Sequence, residues 1–224
     1  MTVVGDRHLQ DFLDALHAKS DEQNALIQAF EARRDSAENS PNEEEIRSFR
    51  SDKLVALDRD KAEFCYQLCR AKKVSRVIEV GTSYGVSTIY LAAAVRANVI
   101  AFGGEGVVIG TEYEPSKASA ARANFARARL SSFIQLLEGD LRETLKQIDG
   151  PIDFVLIDVW IAVSRPAIEL VAPHLSDGAV VVCDNTKVHR ASYADYFAYL
   201  NDPTNRFTTM TLPFQGGLEL SVRC

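Results

Sequence analysis

The stretch Val77-Ile78-Glu79-Val80-Gly81-Thr82-Ser83-Tyr84-Gly85-Val86-Ser87-Thr88 passes from an apolar strand through a glycine turn directly into a helix. A strand that ends this way, with free helix N–H groups just beyond it, is how α/β proteins hold a cofactor above the sheet. Gly81 and Gly85 allow a sharp turn and a close approach to a ligand, and the N–H groups around Val86 and Ser87 point at it. The same residues also suit a plain strand-to-helix turn. The spacing is GxxxG and not the GxGxxG dinucleotide fingerprint, which counts against a nicotinamide cofactor.

Downstream, apolar runs alternate with helical periodicity. Strands are predicted over 76–80, 107–112, 133–137, 153–158 and 179–183, and helices over 86–96, 115–129, 141–147, 163–171 and 192–200. Continuous apolar strands separated by helices mean a parallel sheet covered on both faces. The end differs: 207–212 and 218–222 flank Pro213-Phe214-Gln215-Gly216-Gly217, so the last two strands are expected to pair antiparallel through a hairpin. Upstream, Leu9, Phe12, Leu13, Leu16, Leu26, Ile27 and Phe30 recur at helical steps, which predicts helix from 6 to about 34. Residues 36–45, with Pro41 and an acidic run, read as a loop leading into a short helix, and 60–72 as a further helix. Residues 98–106 read as a glycine-bearing loop.

Composition narrows the function classes. At 224 residues, 46% hydrophobic and 25% charged, the chain reads as one globular domain. A formal net charge of −6 gives no electrostatic footprint for nucleic acid or an anionic membrane, so the expected partner is a small molecule, neither nucleic acid nor a lipid surface. No apolar run near the start resembles a signal peptide and none is long enough to span a bilayer. Cys65, Cys69, Cys183 and Cys224 lack paired CxxC spacing; Cys65 and Cys69 share a helix face and read as small buried hydrophobes rather than metal ligands. A cytoplasmic protein with reduced thiols is the expectation. Self-association as a homodimer is left open.

Acidic or amide residues fall at or just past the ends of four predicted strands: Glu112, Asp140, Asp158 and the pair Asp184-Asn185. That edge is where open α/β sheets bind ligands. Glu112 can accept hydrogen bonds from both hydroxyls of a ribose, or with Glu114 can simply favour the start of the next helix. Asp140 opens a capping-box pattern, and its second oxygen could take an adenine amino group. Asp158, Asp184 and Asn185 are hard oxygen ligands suited to Mg²⁺, and equally common turn and cap residues.

These segments resemble the S-adenosylmethionine (SAM)-dependent O-methyltransferases of the catechol/caffeoyl-CoA type. The residues that carry the resemblance are Asp60-Lys61-Ala62-Glu63-Phe64, Ile78 through Ser87, Gly110-Thr111-Glu112, Glu138-Gly139-Asp140, Phe154 through Trp160, Val182-Cys183-Asp184-Asn185 and Gly216 through Ser221, in family order. The resemblance implies a Rossmann-like, seven-stranded class I methyltransferase sheet, mostly parallel, with extra N-terminal helices. It divides a single domain, 1–224, into a helical cap over 1–58 and a core over 59–224. It implies that Glu79, Gly81 and Ser87 surround the methionine part of SAM, Glu112 the ribose and Asp140 the adenine edge. Thr82, Ser83, Tyr84, Gly85, Tyr113, Gly139, Leu141, Asp158 and Trp160 complete the cofactor contacts. Asp158, Asp184 and Asn185 would hold a divalent metal such as Mg²⁺.

The family pattern after the first metal aspartate is roughly Asp-x-Trp-Lys, with the lysine as general base. This chain reads Asp158-Val159-Trp160-Ile161, and Ile161 cannot take a proton. Lys187 and His189 are the candidate replacements, beside a catalytic Asp158, and surface residues otherwise. The expected reaction is methyl transfer to an oxygen of a small phenolic or hydroxyl acceptor, with Trp160 as either a pocket wall or core packing. The rival readings are a non-catalytic or metal-independent SAM-binding relative and, behind them, an NAD(P)-dependent oxidoreductase.

Overall fold

The computed structural model describes residues 3–34 and 40–224. Two helices replace the one expected over 6–34: α1 (Arg7–Asp21) and α2 (Asn24–Arg34). Asp6 caps α1 by accepting from the Leu9 N–H at 3.2 Å, and Leu9, Phe12, Leu13 and Leu16 form its buried face. The helix breaks where the Gln23 amide turns aside to bind both the N–H and the carbonyl of Leu54, at 3.2 and 3.1 Å. Part of the loop expected over 36–45 lies outside the described residues. Its end is already helical, because Asn42 and Glu45 form a reciprocal capping box, both bonds 2.9 Å, that starts α3 (Glu43–Ser51).

The core then runs α4 (Arg59–Ala71), β1 (Arg76–Val80), α5 (Val86–Phe102), β2 (Val107–Glu112), α6 (Pro115–Arg127), β3 (Ile134–Glu138), α7 (Leu141–Thr144), β4 (Ile152–Ile157), α8 (Ile161–Val171), β5 (Leu175–Asp184), α9 (Ala194–Asn201), β6 (Phe207–Leu212) and β7 (Leu218–Arg223). One seven-stranded sheet has the order β3-β2-β1-β4-β5-β7-β6, with β5–β7 and β6–β7 antiparallel and the other pairs parallel.

Residues 98–102 continue α5 where a loop was expected. The buried Asn98 holds those turns: its amide donates to the carbonyls of Cys69 and Val74 at 3.0 and 2.8 Å and accepts from Arg70 at 2.6 Å. Three local readings of sequence also shift. β5 begins at Leu175 instead of 179, the helix after β3 is one α turn followed by a 3₁₀ turn over Leu145–Gln147, and α9 begins at Ala194.

Apolar residues on the faces of β1, β4 and β5 are almost wholly buried, Val77, Ile78, Phe154, Val155, Val181 and Val182 among them, each contributing about 1.5–3 kcal/mol of burial free energy. Cys65 and Cys69 are buried beside them, and burial pushes their thiols up, which fits their reading as small hydrophobes. No helix among the described residues is long and apolar enough to cross a membrane. Since the chain winds from β1 toward β3 on one side and from β4 toward β5 on the other, the order reverses between β1 and β4. Such a switch point opens a crevice at the strands' carboxyl ends.

Candidate functional site

Both strands at that reversal end in site residues. The Asp158 N–H donates to the Val80 carbonyl at 2.9 Å, and Gly81 turns away at φ +96° so tightly that a Cβ there would collide with the Asp158 carbonyl. Only glycine accepts both conditions. Gly85, at φ +81°, faces the Phe125 ring in the same way, and starts α5.

Four groups hold the turn between them. The Thr82 N–H donates to the Thr111 carbonyl at 2.9 Å, and the Ser83 N–H, on a residue at φ +50°, donates to Glu112 Oε2 at 2.6 Å. Glu112 Oε1 accepts the Glu114 N–H at 2.8 Å, and the Tyr84 hydroxyl donates to the Asp52 carbonyl at 2.8 Å. Glu79 lies fully buried beneath. Its Oε2 accepts from Thr82 and Thr88, while Oε1 has no hydrogen-bond partner among the described residues. Burial pushes its carboxyl up to about 7 although the neighbouring hydroxyls pull the other way. Ser87, the second residue of α5, is buried.

At the end of β3, Gly139 donates its N–H to the Glu112 carbonyl at 2.8 Å, joining this edge to β2. Asp140 caps α7 by accepting from the Arg142 N–H at 2.9 Å and also pairs with the Arg142 guanidinium, which holds its carboxyl down at about 2. Both sequence readings of Asp140 remain compatible with this, since a capping carboxylate keeps lone pairs free. Leu141 is partly buried behind it, and Tyr113 is exposed beside the turn after β2.

On the other side of the reversal, Asp184 ends β5 and Asn185 follows at φ +58°. Asp184 Oδ2 accepts from the Asn185 amide at 2.9 Å, and Oδ1 accepts from the Lys61 ammonium at 2.7 Å. Lys61 is wholly buried and also pairs with Asp58 Oδ2 at 2.8 Å. Burial drags the Lys61 ammonium down, but Asp184 and Asp58 more than offset this and raise it. Asp184 is raised by burial against the pull of Lys61, and Asp158 is pushed up to about 8 by burial and then by the charges of Asp184 and Glu79.

Of the residues singled out in sequence, Gly81, Asp158, Glu79 and Asp184 are thus brought together. Lys187 and His189 are not joined to them: both are exposed in the turns after β5, and no hydrogen bond or ion pair among the described residues ties either side chain to Asp158 or Asp184. Ile161 opens α8 where a lysine was sought. Trp160 is half exposed, with the Arg50 guanidinium 5.1 Å above its ring, so it is no part of the core. Sequence reasoning gave Lys61 no role, although a signal was there: Lys61, Cys65 and Cys69 stand at i, i+4 and i+8, so the lysine occupies the buried stripe of its helix.

Residues Leu54 to Leu57 cross the glycine turn as a strap. The cleft beneath, lined also by Gly81–Tyr84, Val86, Ser87 and Asp158, closes to about 10 Å³, room for one water-sized sphere. Its chemistry suits a zwitterionic nucleoside: a glycine turn at Gly81 with no room for a Cβ, helix N–H groups at Val86 and Ser87 for an anionic group, and the buried carboxylate of Glu79 behind the turn for a cationic one. The β4–β5 side suits a divalent metal poorly. Both oxygens of Asp184 already accept from protein donors, one from an ammonium, and among the described residues no three His, Cys, Asp or Glu side chains are grouped to hold a metal ion.

A family profile described as a methyltransferase domain matches residues 78–186, just under half the chain. The chain is 33% identical over 132 residues to a catechol O-methyltransferase of Mycobacterium tuberculosis, an alignment covering 58% of this chain and 57% of the relative. A catechol O-methyltransferase of Niastella koreensis is 34% identical over 137 residues, covering 54% and 58%. The chain thus spans a little over half the length of these relatives. A crystal structure of an O-methyltransferase from Bacillus cereus in complex with SAH superposes with a TM-score of 0.67 at 19% identity, covering 88% of this chain and 97% of that one.

Proposed function

From a chain that resembles the class I SAM-dependent O-methyltransferases in both sequence and fold, we propose an enzyme that methylates an oxygen of a small-molecule acceptor, a phenol or other hydroxyl compound, with SAM as donor. The observation that carries it is the β1–β4 reversal, where Gly81, Ser83, Ser87 and Asp158 line one cleft, with Glu112 holding the Ser83 N–H and Glu79 buried beneath the turn. The whole chain, 1–224, acts as one domain, with 1–58 as a helical cap on the core. The finer expectation of cytoplasmic placement stays with this reading. So does self-association as a homodimer.

Bound SAM supplies a methyl group on a sulfonium: the new O–C bond forms as the S–C bond breaks, the electron pair stays on sulfur, and the acceptor's proton leaves to water. The protein's part is alignment and exclusion of water. Glu79, with its unpartnered oxygen, faces the cationic methionine end together with Gly81, Thr82, Ser83 and Ser87. Glu112 holds the Ser83 and Glu114 N–H groups and keeps lone pairs for ribose hydroxyls. Gly85 and Tyr84 shape the turn, and Asp140, Gly139, Leu141 and Tyr113 form the adenine edge. Asp158 borders the acceptor side, with Trp160 as an outer wall. The donor set Asp158, Asp184 and Asn185 does not suit Mg²⁺ while Lys61 holds Asp184, so no step is assigned to a metal.

Calorimetric titration with SAM and with NAD tests the reading, followed by transfer assays on aromatic vicinal diols. Binding of SAM and not NAD, weakened by Glu112→Ala, is expected; tight NAD binding instead overturns it in favour of an oxidoreductase. SAM binding without turnover on any such acceptor would favour the non-catalytic relative, for which the missing lysine at Ile161 is the supporting observation.

A further inference from the structure

We propose that the ammonium of Lys61, clamped between Asp184 and Asp58, is the resident cation on the acceptor side of this site, so that the chain works without a divalent metal. The inference rests on the methyltransferase reading for its functional meaning. Its geometric basis is separate. Lys61 lies in the first turn of α4 and reaches across to the end of β5, its side chain wholly buried. The distances from Nζ to Asp184 Oδ1 and Asp58 Oδ2, 2.7 and 2.8 Å, are those of charge-assisted hydrogen bonds. Lysine is almost never fully buried unless paired, and here two carboxylates pair it.

The surroundings are closed around that ammonium. Asp184 Oδ2 is taken by the Asn185 amide at 2.9 Å, and a Cβ on Gly216 would stand 3.7 Å from Lys61 Nζ and collide with Asn185 Oδ1. The Tyr193 hydroxyl donates to the Asp184 carbonyl at 3.1 Å and fixes the residue's backbone. A dication needs several oxygens at short range with lone pairs directed at it, and it would have to share Asp184 with a positive charge already hydrogen-bonded there. An ammonium has three donors and two carboxylates take two of them; with the side chain wholly buried, its charge reaches the acceptor side through Asp184. Lys61 is thereby a positioning residue: it supplies a fixed positive charge where relatives of this fold are expected to place a metal, in a chain whose Ile161 supplies no charge at all.

The experiment combines Mn²⁺ binding followed by paramagnetic resonance with SAM calorimetry and transfer to catechol, on the full chain and on Lys61→Arg and Lys61→Met. Wild type is expected to leave the free Mn²⁺ signal intact up to about 1 mM, the weak end of protein sites for hard cations, and to keep its transfer rate after EDTA dialysis. Lys61→Arg, which keeps the charge, should also exclude Mn²⁺. Lys61→Met, if folded, should gain Mn²⁺ binding at Asp158, Asp184 and Asn185, and its KM for catechol should rise about tenfold with SAM affinity unchanged. Wild-type Mn²⁺ binding below about 1 mM, or transfer lost to EDTA and restored by Mg²⁺, overturns the proposal whether or not Lys61→Met folds. A folded Lys61→Met that neither binds Mn²⁺ nor alters the catechol KM overturns it too, leaving a structural ion pair. Failure of wild type to bind SAM would strike the methyltransferase reading, while the Mn²⁺ result would still report on the cation.

Discussion

Glu112, on the β1–β2–β3 side of the sheet's reversal, and Asp184, on the β4–β5 side, are both nearly buried carboxylates at strand ends, yet they are neutralised by different means. Glu112 accepts backbone N–H groups from Ser83 and Glu114, close neighbours of the turn it borders. Asp184 accepts from an amide next door and from a lysine 123 positions earlier in the chain. The first half of the site therefore rests on backbone N–H groups gathered by one carboxylate. In the second half the Asp184 carboxylate is held by side chains, so one substitution on α4 is enough to change its chemistry. That difference separates the half proposed to bind the cofactor from the half proposed to choose the acceptor.

The main-chain half breaks most severely at Gly81. Gly81→Ala puts a Cβ into the Asp158 carbonyl at a positive φ, and is expected to lose at least about 3 kcal/mol of stability and about a hundredfold in SAM affinity, measured by urea unfolding and calorimetry. A variant that keeps near-native affinity would show that the turn is not the cradle.

Glu79 sets the pH dependence of that half. Its folded-state pKa is raised, so the folded chain holds a proton that the unfolded chain releases first, and stability falls as pH climbs from the ordinary carboxylate range to about 7. The share owed to Glu79 amounts to about 3 kcal/mol, complete above that pH, and Glu79→Gln should lessen the fall between about pH 5 and pH 8 in unfolding curves, leaving what Asp158 and Asp184 contribute. A cationic ligand favours the ionised carboxylate, so SAM affinity should strengthen over the same interval. Equal pH slopes in wild type and Glu79→Gln would remove Glu79 from the account.

Glu112→Ala strips two N–H groups of their acceptor and should cost about 2 kcal/mol of stability along with about a tenfold loss of SAM affinity. If stability falls while affinity does not, Glu112 only braces the turn and the ribose role passes elsewhere. Asp140→Ala sharpens the comparison at the small end: an exposed cap, it should cost no more than about 1 kcal/mol and a few-fold in affinity.

How much of this was legible in sequence follows the same divide. The strand-turn-helix at 76–88, the alternation after it and the Gly216-Gly217 hairpin are local patterns, and the sheet has the expected seven strands. Glu112 and Asp158 stand at strand ends, where apolar runs stop, so their positions were readable too. α5 was cut short because its last turns are held by Asn98 reaching Cys69 and Val74, contacts that no periodicity records. Likewise Gln23 ends α1 only because Leu54 lies beside it. Lys187 and His189 stand near Asp184-Asn185 in sequence, whereas the lysine that meets Asp184 comes from α4, 123 positions earlier.

The strap over the glycine turn sets a condition on the catalytic cycle. Leu54 is tied to Ser20 of α1 and to Gln23 just beyond it, and Tyr84 fastens the same segment at Asp52. Under the proposed function, admission of the donor and discharge of the spent nucleoside would require those fastenings to open, and an N-terminal latch that takes no part in bond making would then set the pace of successive rounds. Loosening it with Ser20→Ala should quicken product escape in stopped-flow displacement, and an unchanged escape rate would place the slow step elsewhere.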